Sequence, residues 1–424
     1  MNRRVVITGL GICAPNAIGT AGFREAMRLG TSGIRHIAEL DRLGFRCTMG
    51  AAPEIPAEVL ETTFTSLERR GLTASGLIYG ALAGMEAWED ARLYPAGSDE
   101  PDWDSGVLFG TGLLGVDTFR AAVNRIDAHE VRRLGSTTVP QIMASGASAW
   151  LSGKLGCGNW SGANSSACST GAEALLLACW HIRNGRAERM LAGSCSDSGP
   201  YIWGGFDAMR ILSSADPAVP EAACRPLSAT ASGFVPGSGA GALVLESLES
   251  ANARGARIYA EILGGAVNSG GQRGGGTMTA ANAGGVLRCI RGALADSRVD
   301  AGSIDLINGH LTATARDPEE IDGWSAALGR SGSDFPFINS CKDLLGHGLA
   351  ASGSMEAVAS VLQLADQVVY GNTNAQDLHP EIAARIDRTR VPVASRPAAL
   401  NYLAKASFGF GDVNACIIFR RYEP

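Results

Sequence analysis

The sequence predicts an α/β protein whose central strands are mainly parallel, and three observations carry that prediction. Short, β-branched apolar runs alternate with stretches whose apolar residues recur at helical spacing. The runs end in glycine-rich turns, and no long linker or low-complexity tail interrupts them. Strands are expected at Val5–Thr8, Val107–Phe109, Met190–Ala192, Ala242–Glu246, Tyr259–Leu263, Leu306–Asn308, Phe337–Ile338 and Asn414–Phe419. Segments 233–246 and 407–419 both pass from a glycine-rich turn into an apolar strand. This weak internal symmetry predicts two halves, 1–253 and 254–424, that meet in the polar stretch 250–257.

Composition narrows the function. The 36 Lys and Arg stand against 42 Asp and Glu, a net charge of −6. That excludes nucleic acid as the main partner, because phosphate binding needs a basic face. With 18% charged and 46% hydrophobic residues, the chain buries a large core rather than staying disordered. Ten cysteines without a C-x-x-C pair read as reduced thiols of a cytoplasmic protein with no zinc site. The basic start followed by an apolar run imitates a signal peptide, but its β-branched residues ending in Gly and Pro read as a buried first strand. No run of 18 predominantly apolar residues occurs, so no membrane span is expected. Glycine accounts for 55 residues, close to double the usual ~7%.

Several of these glycines flank candidate chemistry. Gly110-Thr-Gly-Leu-Leu-Gly115 fits a dinucleotide-binding turn after a strand, with Asp127 and Glu130 as ribose partners. In so glycine-rich a chain the same letters also describe a packed turn beside another site. Cys168, in Asn164-Ser-Ser-Ala-Cys-Ser-Thr-Gly171, precedes apolar residues at 172, 175, 176, 179 and 182, a helix that stops at Asn184-Gly185. A thiol at a helix N-terminus meets unpaired N–H groups and the positive dipole end, which lower its pKa. Elsewhere in a helix a lone cysteine is a small core residue, the reading given to Cys179.

His310 follows the apolar run 306–308, and His347 lies in a glycine-rich stretch leading into a helix patterned by Met355, Val358, Val361, Leu362 and Ala365. A lone histidine is more often a hydrogen-bonded structural residue. Together with Cys168 they point to Cys/His chemistry. Ser407-Phe-Gly-Phe-Gly411 can turn a backbone N–H toward an oxyanion, or form a turn with core aromatics.

In this order the segments VVITGLGICAPNAIG, SSACSTGAEAL, RPLSATASGFVPGSGAGALVLE, INGHLTAT, NSCKDLLGHGLAASGSMEA and SFGFGDVNA resemble the elongating β-ketoacyl-acyl-carrier-protein synthases across the whole chain. The resemblance implies a thiolase-like fold of two βαβαβαββ halves stacked in five αβαβα layers, with no cofactor and no metal. It implies that Cys168 takes an acyl group from acyl carrier protein as a thioester. His310 and His347 would bind the malonyl thioester carbonyl and promote CO2 loss, and the resulting carbanion would attack the Cys168 thioester. Backbone N–H groups of Cys168 and Phe408 would form the oxyanion hole. Lys342 would tune the charge around the histidines, with Glu356, Thr312 and Thr314 in support.

Arg69, Arg70, Arg132, Arg133 and Arg210 stand where family members face the acidic carrier protein, though solvated surface arginines would look the same. Leu113, Leu114, Met143 and Phe408 are expected around the acyl chain. A homodimer is implied, or a heterodimer with a paralogous subunit, with neither nucleic acid nor membrane as partner. Leu311 departs from the family's usual Gly; Ser228, Ala231, Ser232 and Ser238 depart from its charged residues; Asp412 and Val413 depart from small or hydroxylic ones. These departures favour a specialised synthase, for a polyketide or another secondary product, over a housekeeping fatty-acid enzyme. The alternatives are a non-catalytic chain-length-factor-like partner, whose usual signature is loss of the nucleophile, and a thiolase. A thiolase wants a second reactive cysteine in a C-terminal glycine-rich loop, whereas Cys416 falls in the last strand.

Overall fold

The computed structural model describes residues 3–97 and 99–423. Ten strands form one path of hydrogen-bonded neighbours: β1 (Val5–Ala14), β2 (Ser105–Thr111), β3 (Ser161–Gly162), β4 (Arg189–Ser196), β5 (Gly239–Ser247), β6 (Ala260–Ser269), β7 (Leu306–Asn308), β8 (Phe337–Asn339), β9 (Tyr402–Gly409) and β10 (Val413–Arg421). Their spatial order is β8-β7-β9-β10-β6-β1-β5-β4-β2-β3, with the short strand Ala17–Ile18 added beside β1. On either side of the β6–β1 junction the order is the same: third, second, fourth, fifth, first.

The expectation of parallel central strands is corrected. Pairings are parallel only at the flanks, β2 with β3 and β4, and β7 with β8 and β9. The five pairings between them are antiparallel. Strand direction was illegible because both faces of these strands are covered, and a doubly covered strand reads as a continuous apolar run in either direction. β3 and β9 were not foreseen, the first because it is two residues long and the second because Lys405 interrupts its apolar run.

Seven helices set the layers: α1 (Ser75–Asp90), α2 (Val116–Asp127), α3 (Gly146–Leu155), α4 (Thr170–Arg183), α5 (Ala283–Ser297), α6 (Asp317–Leu328) and α7 (Ser352–Asp366). Strand alternation sorts side chains between them. Val107 and Phe109 of β2 join Leu82 and Trp88 of α1 and Leu151 of α3, whereas Leu108 faces the opposite way. Ala415, Ile417 and Phe419 of β10 join α4 and α7 in the central core, whereas Cys416 and Ile418 join Ile290 of α5 and Trp324 of α6. The result is α1/α3, sheet, α4/α7, sheet, α5/α6, the five layers expected. Among the described residues no helix is long and apolar enough to cross a membrane.

The inner helices touch at glycine. A Cβ on Gly171 would stand 2.3 Å from Ser354 N, and one on Gly353 would stand 2.6 Å from Ala172 N. Backbone meets backbone there, so the first turns of α4 and α7 lie side by side. Replacing Gly353 with Val is expected to cost about 3 kcal/mol or more of stability, read as a lower midpoint in thermal unfolding. A midpoint equal to that of the unaltered protein would contradict so tight a crossing.

Candidate active site

Cys168 sits in a single 3-10 turn, Ala167–Ser169, that runs straight into α4. Ala167 has φ +48°, a left-handed conformation that a non-glycine residue holds only when its surroundings enforce it. Here Thr170 Oγ1 donates to Ala167 O at 2.6 Å and accepts from Ser166 N–H at 2.9 Å. Asn164 Nδ2 and Ser166 Oγ both donate to Glu173 from outside the turn. Ser169 Oγ donates to Ser407 O and Val413 O, each at 3.0 Å, which fastens the turn to β9 and β10.

His310 and His347 reach the same point from the other half of the sheet. The Cys168 sulfur and one ring nitrogen of each histidine all lie within 4.8 Å of one another. The two rings are 5.5 Å apart and nearly perpendicular. Ser352 Oγ lies 2.9 Å from His347 Nδ1, and Leu349 N–H donates to that nitrogen at 3.3 Å. Nδ1 is therefore an acceptor, and Nε2 carries the proton. The His347 backbone is strung between Val235 O and Gly237 N–H, with the Phe234 ring 5.0 Å from the imidazole.

Glu320 holds His310 by accepting its backbone N–H and that of Leu311, both at 2.7 Å. Leu311, which stands where the family usually has Gly, is held at φ +22° by this carboxylate and by its own burial. Thr312 and Thr314 follow, their hydroxyls 3.1 Å apart.

Behind the histidines lies a buried charge cluster. Lys342 Nζ donates to His310 O and to Glu356 Oε1, each at 2.5 Å. Lys405 Nζ, which the sequence reading missed, stands 2.8 Å from the other Glu356 oxygen. Burial, Lys342 and Lys405 hold both imidazoles well below the ordinary histidine pKa, with His347 adding to the effect on His310. Both are neutral at pH 7. Burial alone would lower Lys342, but Glu356 outweighs it and the ammonium is raised. Burial pushes the Glu320 carboxyl up to about 7.

Two expectations change here. Burial pushes the Cys168 thiol up to about 11, against the opposing pulls of Lys342 and the Phe410 N–H. The helix terminus does not overcome desolvation. The amide facing the sulfur from the Phe-Gly-Phe-Gly run is thus that of Phe410, not Phe408. Phe408 pairs with Asn414 in the β9–β10 ladder and sets its ring 6.1 Å from His310. The motif contained both phenylalanines, and only the strand register separates them.

Of the remaining candidates, Gly110–Gly115 is a packed turn. Gly110 abuts Asn164 and Thr170, while Glu130 pairs with Arg133 at 2.6 Å. Leu114 is buried and Met143 half-buried, but Leu113 is 61% exposed. Arg69, Arg70, Arg132, Arg133 and Arg210 are all exposed, and Arg69 pairs with Glu61 at 3.0 Å. One sulfur and two imidazoles are also a donor set for a soft metal. Lys342 and Lys405 behind them oppose a dication.

Comparison with known proteins now settles the family. The family description "Beta-ketoacyl synthase, N-terminal domain" matches residues 2–251, and "Beta-ketoacyl synthase, C-terminal domain" matches 259–376. The chain belongs to the β-ketoacyl synthase family. It is 33% identical to 3-oxoacyl-[acyl-carrier-protein] synthase 2 of Vibrio harveyi, over 99% of both chains. It is 34% identical to the chloroplastic synthase I of Arabidopsis thaliana, over all of this chain and 87% of that one. Among solved structures, a ketosynthase of a type II polyketide synthase, bound to a hexaketide and in complex with its acyl-carrier protein, superposes with TM-score 0.87 at 30% identity, covering both chains fully. A β-ketoacyl synthase from Burkholderia phymatum gives 0.89 at 28% identity, over 99% of this chain and all of that one. These relatives are carbon–carbon-bond-forming acyltransferases, and family membership places this protein in that class.

The buried thiol generates a test within the resting protein. Alkylation of Cys168 by iodoacetamide should climb roughly tenfold per pH unit from 7 to 9 without a plateau, because the thiolate fraction is still rising. Peptide mapping of the adduct reads it, and a plateau below pH 8 would mean a thiolate already formed.

Proposed function

We propose that the protein extends an acyl chain held on Cys168 by decarboxylative condensation with a malonyl group on acyl carrier protein. The observation that carries this reading is one thiol facing two neutral imidazoles within 4.8 Å. In the first half-reaction the Cys168 sulfur attacks the acyl thioester carbonyl, its proton leaves with the carrier thiol, and the oxyanion is met by the N–H groups of Cys168 and Phe410. In the second, the malonyl thioester carbonyl accepts from the histidines. The carboxylate departs as CO2 and leaves its electron pair on the α-carbon as an enolate. That carbon attacks the Cys168 thioester, and the sulfur is released to take up a proton. A neutral imidazole still carries one N–H, and that N–H can donate to the enolate oxygen.

The donor of both thioesters is read as acyl carrier protein, an acidic partner suited to the exposed Arg69, Arg70, Arg132, Arg133 and Arg210. A dimer is supported by α2, which leaves Phe119, Val123 and Ile126 exposed along one face, near the exposed Val131 and Val139. The repeated strand order supports two halves divided at 253/254. A cytoplasmic site of action is the reading that ten free cysteines support. A specialised role in polyketide synthesis is favoured by the departures at Ser228, Ala231, Ser232, Ser238 and Asp412. A chain-length-factor-like role is disfavoured because the nucleophile is present.

Incubation with acyl-carrier-protein thioester should add one acyl group to Cys168, seen by intact mass, and Cys168→Ala should abolish the adduct. Labelling that survives this change sinks the reading. His310→Ala and His347→Ala should keep acylation while malonyl decarboxylation falls by ~10²–10³ for each donor removed.

A further inference from the structure

Lys405 is the one charged residue of β9, sitting in Tyr402-Leu-Ala-Lys-Ala-Ser-Phe-Gly409, and it is fully buried. Its ammonium touches Glu356 Oε2 at 2.8 Å, Ser407 Oγ at 3.0 Å and the carbonyl of Ala406. Lys342 already occupies the other oxygen of the same carboxylate. Two buried ammonium groups therefore share one carboxylate. Stability does not account for the second of them. Removing an ion from water is costly, and a well-packed apolar side chain of similar volume is often no worse. A methionine at 405 would also suit a strand whose neighbours Leu403, Ala404 and Ala406 are all apolar and buried.

We propose that Lys405 is a positioning residue for the histidine pair: it makes the buried cluster net positive and joins three separate supports of the site. The charge follows from the groups that face the imidazoles. Lys342 and Lys405 contribute the positive charges and Glu356 the negative one; burial and Lys342 lower the Lys405 ammonium from its ordinary pKa, against the pull of Glu356. Glu320, whose carboxyl burial pushes up to about 7, accepts from the backbone N–H groups of His310 and Leu311 and from the Trp324 indole rather than from either imidazole. The Cys168 thiol in front of the rings is uncharged at neutral pH. Without Lys405 the Lys342–Glu356 pair would be electrically balanced, and either imidazole could take up a proton more easily.

The three supports are equally concrete. Through Glu356, Lys405 grips α7 and, by way of Lys342, the carbonyl of His310. Through Ser407 it reaches the residue whose carbonyl accepts from Ser169, next to the nucleophile. Ser407 in turn lies three residues before Phe410. A positive field at this position favours a neutral imidazole in the ground state and an anionic enolate as CO2 leaves, so it acts on the second half-reaction. Both histidines are held below their ordinary pKa partly by Lys405.

The inference rests on the proposed condensation, but its decisive test does not. Full-length Lys405→Met and Lys405→Gln, both neutral and of similar size, would be compared with the unaltered protein by NMR titration of ring-labelled histidine between pH 5 and 8. The His310 and His347 rings should protonate at higher pH in either folded variant. In parallel, malonyl decarboxylation should fall roughly tenfold, less than for loss of a direct donor, with its acid limb displaced to higher pH. Acylation of Cys168, which needs neither imidazole proton, should fall by less than decarboxylation does and without a shift of its pH profile. Unmoved ring titrations, or equal losses in both half-reactions with an unshifted acid limb, would show Lys405 to be structural only. If the unaltered protein failed to decarboxylate malonyl thioesters, the condensation reading would fall, while the ring titrations would still decide the role of Lys405.

Discussion

The active site depends on one contact, the crossing of α4 and α7 at Gly171 and Gly353. Each helix belongs to a different run of strands, and each begins shortly after a reactive side chain: α4 two residues after Cys168, α7 five residues after His347. With any side chain at the crossing the two backbones would have to part by about 1 Å to reach ordinary contact. The sulfur and the imidazole, now within 4.8 Å, are carried on the segments that such a parting would move. Packing density, rather than any hydrogen bond between the catalytic groups, sets their distance. The surrounding bonds then fix orientation: Ser169 to β9 and β10, His347 to Val235 and Gly237, His310 to Glu320.

The same burial that sets the distance also sets the charge states. In water a cysteine beside a helix N-terminus would lean toward thiolate and a histidine would be half protonated near pH 6.5. Out of water, both move toward their neutral forms. A neutral thiol beside two neutral imidazoles costs far less to enclose than a thiolate beside an imidazolium, whose charges would have to be desolvated before any substrate arrived. Charge is kept one residue back, where Glu356 lies between Lys342 and Lys405 and each ammonium finds oxygen partners. The site is thus poised to meet negative charge that appears only as substrate reacts, which is the condition under which fixed dipoles and charges lower a barrier.

How much of this was legible in the sequence depended on whether a feature was local. Cys168, His310 and His347 stand in short segments whose small residues and strand-ending turns mark them, and Lys342 and Glu356 flank His347 within the same stretch. Every one of the eight expected strands is present, because an apolar β-branched run between turns is itself a local signal. What escaped was non-local. Strand direction in the centre of the sheet is decided by the β9–β10 hairpin and by pairing across more than two hundred residues, as with β1 and β5. Lys405 looked like an interruption because its counter-charge, Glu356, lies on α7 far away in the chain, and Phe410 could not be told from Phe408 without the register. The thiol pKa was misjudged for the same reason: a helix N-terminus is visible in sequence, whereas the depth at which it is buried is not.

The departures from the family pattern show how such non-local support works. Asp412, in place of a small residue, sits at φ +60° in the hairpin that follows Phe410 and is fully buried. A buried carboxylate needs donors, and it finds them in the glycine-rich segment after β6: Gln272 N–H at 2.9 Å and Asn282 N–H at 2.7 Å. Gly276 presses on the carboxylate so closely that a Cβ there would stand 2.5 Å from an oxygen, and Gly411 N–H donates to Met278 O at 2.7 Å. The aspartate thus fastens a segment of glycines, which has little structure of its own, to the loop that presents the Phe410 amide to Cys168. Leu311 follows the same logic at the other histidine, where Glu320 and the surrounding core hold a left-handed backbone that glycine would adopt unaided. In both places a residue that is locally unfavourable is tolerated because distant groups over-determine its position. The cost of each departure is therefore set by its partners, Gln272 and Asn282 in one case and Glu320 in the other, and those partners would have to change with it.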